Sequence, residues 1–367
     1  MGSKTVETRP MVEVRTLRKQ YGDFVALNDV SLSIAKGEFV TLLGPSGSGK
    51  STLLNLISGM ATPTAGEIYI NGEDATQLPT NRRGLGMVFQ NYALMPHLTV
   101  FENIAFPLQV RRVPKAEIKD RVAQALKLIQ LEHVAHRKPK ELSGGQQQRI
   151  SLARCFVYNP PLILMDEPLG ALDKKLREDM QLEIKRLHAE LGVTMLYVTH
   201  DQDEALTMSD RIVLMRGGAI EQHGTPDALY FRPETAFAAG FIGNSNLFAG
   251  AVETMGDSCV LRTGPHVLQL MPDPSMATPR AKVSLLVRPE NVRLVTLEAD
   301  STGCAGVTVV VEDSILLGGV VRHYLRTPEG QVVIAQELNH PGKPKLARGT
   351  SMRAQWSLED ARLIPTA

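Results

Sequence analysis

The chain has 367 residues, 43% of them apolar, with 40 lysines and arginines against 39 aspartates and glutamates. That is enough chain for about two or three domains, and the balanced charge excludes the electrostatic footprint of a dedicated nucleic-acid binder. Three widely spaced cysteines, Cys155, Cys259 and Cys304, with no C-x-x-C pair, argue against a disulfide framework or a zinc site and for a reducing compartment.

Residues 1 to 10 (MGSKTVETRP) are polar, lack the apolar core of a signal peptide and predict a disordered start. No later run approaches the roughly eighteen apolar residues of a membrane span, so work at a membrane is expected from its surface. Met11 to Leu17 and Leu27 to Ile34 alternate apolar and polar residues as half-buried strands do, with Tyr21 between them. Glu38 to Leu43 reads as a buried parallel strand. It runs into Gly44, Pro45, Ser46, Gly47, Ser48, Gly49, Lys50, Ser51 and Thr52 (GPSGSGKST), and an apolar run suited to a helix follows. Gly66 to Ile70, closed by Asn71-Gly72, reads as a strand and tight turn, and Gly84 to Gln90 as a strand ending in Gln90.

Between Lys115 and Leu131, Ile118, Val122, Leu126 and Ile129 recur at helical spacing, which predicts a mainly helical insertion over about 91–160. Leu162 to Met165 is a short apolar strand that delivers Asp166 and Glu167 at its C-terminal end, where open parallel sheets bind ligands. An amphipathic helix stopped by Gly192 follows, then a strand from Val193 to Thr199 ending at His200, then Ile212 to Met215 meeting the hairpin signal Gly217-Gly218. Beyond Asn244, short alternating strands such as Val283 to Arg288 and Val307 to Val311 lie between Gly, Pro and Asp clusters, the pattern of a small all-β domain.

Strand, Gly-rich loop and helix are the context of a phosphate-binding loop. Its glycines let the backbone turn sharply and approach polyphosphate closely, which a Cβ at Gly47 or Gly49 would obstruct. The helix N-terminus and Lys50 supply positive charge to the β and γ phosphates, and the Ser51 hydroxyl is placed to ligate Mg²⁺. Asp166 fits a carboxylate that holds Mg²⁺ through water, with Glu167 free to polarise an attacking water, although the same pair alone could be a solvated strand end. Leu142, Ser143, Gly144, Gly145 and Gln146 (LSGGQ) stand shortly before that strand: Ser143 suits an N-cap, the glycines expose backbone donors, and the helix start faces an anion. One phosphate loop already serves one triphosphate, so this second anion site is redundant within a single chain.

With both motifs in one chain, the sequence resembles the nucleotide-binding subunits of ABC transporters. The resemblance implies that the LSGGQ segment binds the γ-phosphate of ATP held by a second copy, so that two chains close head to tail around two nucleotides. It implies a stacking role on adenine for Tyr21, and for Gln90 the Q-loop position that reaches Mg²⁺ and the attacking water at the junction with the insertion. Asp173 in GALD matches the D-loop, where the family more often has Ser in place of Gly170, and His200 in YVTHD matches the switch histidine at the γ-phosphate. FIGNSNLFAG (Phe241 to Gly250) and RPENV (Arg288 to Val292) resemble parts of the TOBE domain of the polyamine and ferric-iron importer group. Arg288 and Glu290 equally suit a solvated pair.

The expected architecture is α/β, a P-loop NTPase over 11–243 with a RecA-like parallel sheet, an antiparallel β-subdomain and the helical insertion, then a β-rich, OB-like or TOBE-like domain over 244–367. Asp166, Ser51 and Gln90 are the expected Mg²⁺ set; Glu167, His200 and Gln90 the catalytic one. The resemblance implies a homodimer on the cytoplasmic face of the bacterial inner membrane. It would bind two permease subunits, with a groove near Phe101 and Phe106 receiving a permease helix and a periplasmic solute-binding protein delivering the cargo. A polyamine such as spermidine or putrescine is the first expectation for the solute, with ferric iron, sulfate, phosphonate and sugar open. A soluble non-transport ABC ATPase would carry two cassettes or a coiled-coil insertion, and a GTPase an N-K-x-D motif, neither of which is present.

Overall fold

The computed structural model describes residues 9–170, 172–255, 258–270, 282–299, 302–342 and 346–365. Most of the polar start expected to be disordered lies outside them. The chain forms two compact units, residues 1–226 and 227–367.

The first unit is built on a six-stranded sheet in the order Ala219–Gly224, Arg211–Arg216, Phe39–Leu43, Thr194–Thr199, Leu162–Asp166, Gly86–Val88. All but the first of these run parallel. Phe39–Leu43 and Thr194–Thr199 are buried at every position, as parallel strands covered on both faces must be. The side-chain alternation sorts the faces. Val40, Leu42, Leu162, Leu164, Leu196 and Val198 pack under the phosphate-loop helix Lys50–Ser58 and an antiparallel sheet. Phe39, Ile163, Met165, Met195 and Tyr197 pack under the helical insertion and the helix Lys174–Leu191. The antiparallel sheet orders Phe24–Ile34, Val12–Tyr21, Ala65–Ile70 and Glu73–Asp74. Asn71 and Gly72 take the left-handed φ of 52° and 81° that its tight turn requires.

The insertion contains helices Val100–Val110, Lys115–Leu128 and Gly144–Phe156. Thr99 and Glu102 close a capping box on the first. Ile118, Val122 and Leu126 are buried as their spacing predicts, with Ile129 one residue past the helix end. Fully buried Asn103 accepts from Met95 N at 2.8 Å and donates to the carbonyls of Met95, Leu98 and Thr99, so the loop entering the insertion keeps its backbone satisfied.

The second unit holds two five-stranded antiparallel sheets. Trp356 stacks on Phe248 at 5.2 Å in their shared core. The division after Pro226 falls earlier than the 243/244 boundary expected from composition, because the short helices Pro226–Phe231 and Ala236–Phe241 are tied to Arg288. That residue is not the solvated partner of Glu290 that suited the sequence. It is 4% exposed and donates to the carbonyls of Ala239, Ile242 and Asn244 at 3.1, 2.7 and 3.2 Å, to Ser245 Oγ at 2.6 Å and to Tyr230 O. The fan of guanidinium donors matches carbonyls left open where a short helix ends.

Candidate nucleotide site

The C-terminal edge of the parallel sheet gathers the candidate residues, because strand ends at Leu43, Val88, Asp166 and Thr199 lie side by side. After Leu43 the chain turns through Gly44, Gly47 and Gly49 at φ of 155°, 79° and 100°. At Gly49 a Cβ would come 2.7 Å from Leu27 Cδ2 and 2.9 Å from Ala26 O. Gly47 instead faces open space. A Cβ there meets nothing within 4 Å, so the protein requires its left-handed backbone and leaves the space above it open.

Lys50–Ser58 begins without a side-chain cap and without an acidic residue in its first turn. Its N-terminal amides are therefore not spent on side chains. At the other end Arg83 Nη1 donates to Leu56 O and Ile57 O at 2.7 Å each, answering the negative end of the helix from a buried position. Lys50, 6% exposed, arches back over the loop and donates to Gly44 O and Pro45 O at 2.8 and 2.9 Å. Burial pushes its pKa down, opposed by the charges of Glu167 and Asp166.

Ser51 Oγ lies 3.3 Å from Asp166 Oδ1. Burial raises the Asp166 pKa, and the Ser51 hydrogen bond works against that rise. A partly desolvated carboxylate facing a hydroxyl is a hard oxygen donor set of the kind Mg²⁺ prefers, so these residues fit the ion. Among the described residues no group of three or more His, Cys, Asp and Glu could hold a metal ion.

Glu167 takes a left-handed φ of 43°, with its N–H on Val198 O at 3.0 Å. The turn aims its carboxylate at the neighbouring strand end, where His200 Nδ1 lies 3.3 Å from Oε1. His200 is 60% exposed at its side chain and Glu167 25%. Gln90 is exposed in the turn beyond Gly86–Val88, since the strand stops two residues short of the expected end. Its Nε2 lies 3.6 Å from where a Gly170 Cβ would stand, which brings Q-loop and D-loop together.

Ser143 caps Gly144–Phe156 in a reciprocal capping box, accepting from Gln146 N at 3.3 Å while Gln146 Oε1 accepts from Ser143 N at 3.0 Å. Gly145 allows the helix to seat on Leu176, which a Cβ would meet at 2.8 Å. Leu142 is buried and Ser143 exposed. Asp173 caps Lys174–Leu191 through Leu176 N at 3.0 Å. Signature and D-loop are thus neighbours, but no hydrogen bond joins Leu142–Gln146 to Gly44–Thr52 among the described residues. Tyr21 also stands apart, 51% exposed with Lys19 Nζ 4.7 Å from its ring centroid.

Two side chains that motif reading passed over hold the Q-loop. Tyr92 and Ala93 have left-handed φ of 59° and 47°. Their carbonyls accept from Ser151 Oγ at 2.9 Å and from Arg154 at 3.0 and 2.6 Å, so the signature helix grips the turn after Gln90.

Residues 27–170 match the ABC transporter family model and residues 285–364 the TOBE domain. The chain is 46% identical over 343 residues to the spermidine/putrescine import ATP-binding protein of Acidothermus cellulolyticus, covering 92% of this chain and 89% of that one. It is 45% identical over 363 residues to the protein of the same name from Rubrobacter xylanophilus, with 97% and 93% covered. A solved dimeric bacterial ABC transporter cassette is 40% identical with a TM-score of 0.53, over 59% of this chain and 99% of that one. A component of an ABC transporter complex from Clostridium perfringens is 28% identical at 0.57, over 60% and 90%.

Phosphate loop, paired carboxylates and a second helix start, this one capped by Ser143, around one parallel sheet define a P-loop ATPase. The chain belongs to the ABC transporter family and carries a C-terminal TOBE domain.

Proposed function

We propose that the chain is the ATP-hydrolysing subunit of a spermidine/putrescine importer and works as a homodimer on two membrane-embedded permease subunits. The near full-length likeness to import ATP-binding proteins of that name, TOBE domain included, carries the solute assignment. The geometry around Lys50, Asp166, Glu167 and His200 carries the chemistry. No helix among the described residues is long and apolar enough to cross a membrane. The surface role at the cytoplasmic face of the inner membrane, with a periplasmic binding protein delivering solute, belongs to the same proposal.

The amides of Gly47 to Ser51 and the Lys50 ammonium bind the β and γ phosphates, with Lys50 exchanging its loop carbonyls for phosphate oxygens. Ser51, Asp166 and Gln90 would hold Mg²⁺, which when bound neutralises phosphate charge and fixes its geometry. Glu167 takes a proton from the attacking water, and His200, 3.3 Å away, orients that carboxylate and the γ-phosphate. Tyr21 offers an exposed ring to adenine. Ser143 to Gln146 and Asp173 complete the nucleotide bound to the other copy, which accounts for their separation from this chain's own loop.

A groove of about 240 Å³ lined by Met87, Met95, Phe106, Val110, Arg154 and Tyr158 suits a short permease helix beside the Q-loop. Phe106 and Val110 are 38% and 63% exposed there, whereas Phe101, expected in the groove, packs against the core. The test is ATP turnover by the assembled complex in vesicles. Stimulation by spermidine-loaded binding protein supports the reading; stimulation only by an iron-, sulfate-, phosphonate- or sugar-loaded one replaces the solute, and no turnover with any overturns the ATPase role.

A further inference from the structure

The D-loop and the His200 loop come from different elements, and one side chain spans both. Arg177, in the first turn of Lys174–Leu191, donates from Nη2 to Leu172 O at 3.1 Å, immediately before Asp173. Its Nη1 donates to Asp201 Oδ2 at 3.0 Å, immediately after His200. Its Nε lies 3.9 Å from Glu204 Oε1, beyond hydrogen-bond reach, and is a buried donor without a partner.

The acidic side of this junction is itself built into the His200 loop. Asp201 Oδ1 caps the helix Gln202–Met208 through the amides of Asp203 and Glu204 at 2.8 and 3.3 Å. Asp201 N donates to Thr199 Oγ1 at 3.0 Å. The Thr199 hydroxyl donates on to Glu204 Oε2 at 2.6 Å, joined by Tyr197 OH at 2.8 Å. Glu204 is 3% exposed. Both neighbours of His200 are therefore held in one hydrogen-bonded frame, and Arg177 is the link from that frame to the D-loop. A buried carboxylate is retained at such a place only with polar and cationic partners.

We infer that Arg177 is a positioning residue for hydrolysis, holding His200 in register with Asp173 so that engagement of a second chain at the D-loop reaches His200. The inference rests on the ATPase reading above. Arg177 does not touch the phosphate loop, so its loss changes the chemical step and not the binding of ATP. The unpaired Nε and the 3.9 Å gap to Glu204 leave room for the link to tighten as the D-loop moves.

The experiment compares the full-length parent with Arg177→Met, Arg177→Lys, Asp201→Asn and the Arg177→Met/Asp201→Asn double variant, reading kcat, KM for ATP and the thermal shift produced by Mg-ATP. Small misplacements of reacting groups cost about 100-fold, and a loosened orienting loop should cost about 10- to 100-fold in kcat. We expect that loss in Arg177→Met with KM and the ATP-induced thermal shift retained. Arg177→Lys, which cannot span Leu172 O and Asp201 together, should fall between it and the parent. The double variant should be no worse than Arg177→Met alone, because both changes break one link. Parental kcat in Arg177→Met, additive losses in the double variant, or kcat and ATP binding lost together would each overturn the positioning role. If Arg177→Met fails to fold, the Arg177→Lys and Asp201→Asn pair decides by the same criteria. A parent that does not hydrolyse ATP defeats the ATPase reading instead.

Discussion

Glu167→Gln isolates the proposed base with little structural disturbance. The new side chain has the same length, and the φ of 43° is imposed by the bonds Glu167 N to Val198 O at 3.0 Å and Gly170 N to Glu167 O at 3.2 Å, which the substitution leaves in place. What is removed is the charge that draws a proton from water. General-base contributions of about 10²- to 10⁴-fold correspond to roughly 2.7 to 5.4 kcal/mol at about 1.36 kcal/mol per decade. Two effects on binding oppose one another. Glu167 is the foremost charge supporting the Lys50 ammonium against its burial, and it also repels an incoming γ-phosphate. Affinity for Mg-ATP should therefore change by less than about tenfold while turnover falls by that larger factor. On the proposed homodimer, in which ATP joins two copies and its cleavage separates them, the variant should accumulate as an ATP-bound dimer. Phosphate release, calorimetric ATP binding and sedimentation velocity with Mg-ATP measure the three quantities. Hydrolysis near the parental rate would falsify the base assignment and move the organising role to His200.

Ser143→Arg places a bulky charge at the exposed cap of the signature helix; it should leave ATP binding by the monomer intact and abolish hydrolysis, and loss of monomer binding in a nucleotide titration would contradict a role toward the partner's ATP. Gly49→Ala should cost about 1–3 kcal/mol and weaken ATP binding, since its Cβ meets Leu27 Cδ2 at 2.7 Å on a backbone at φ 100°, whereas Gly170→Ser, whose nearest neighbours lie at 3.5 and 3.6 Å, should stay within about 0.5 kcal/mol of the parent in denaturant titration. Burial raises the Cys155 thiol to about 11, so at pH 8 a thiol reagent should modify the half-buried Cys259 and Cys304 and reach Cys155 only after unfolding; prompt native labelling of Cys155 would count against its packing. A chain ending at Pro226 should fold and bind ATP, while one ending at Gly243 retains two short helices without Arg288 and should aggregate more readily on light scattering.

The parts of the candidate site legible in the sequence share a physical trait: their geometry is local to a few consecutive residues. A strand end, a glycine that must take φ of 100° and a helix start without a side-chain cap are written into Gly44 to Thr52 in order. Ser143 announces an N-cap by its place before the helix, and in the structure Gln146 returns the bond. The helical stripe from Ile118 to Ile129 was equally readable, because burial along a helix repeats within one turn. Local reading stops short where a neighbour from elsewhere in the chain decides. Gly47 and Gly49 look alike in sequence, and only Gly49 faces Leu27 and Ala26 across the loop. Phe101 and Phe106 look alike in sequence, and only the second turns outward.

Arginines show the limit most clearly. Nothing in the sequence singles out Arg83, Arg154 or Arg177, and Arg288 suits a solvated pair there, yet each donates to backbone carbonyls at a helix end, a strained turn or a loop. Except for Leu172, reached by Arg177, and Leu78, reached by Arg83 Nε, the carbonyls they reach lie far away along the chain, and a carbonyl carries no side-chain signature. Such a contact can be inferred only after the sheet has placed the segments side by side. The guanidinium suits the task because its planar fork offers several donors at once and keeps its charge when partly buried. In the proposed site the candidate groups are named by their loops, while Arg154 and Arg177, which lie outside the motifs, tie those loops to their neighbours. Substitutions of these two arginines should therefore change kcat with the nucleotide motifs intact, a class of variant that motif inspection alone would score as neutral.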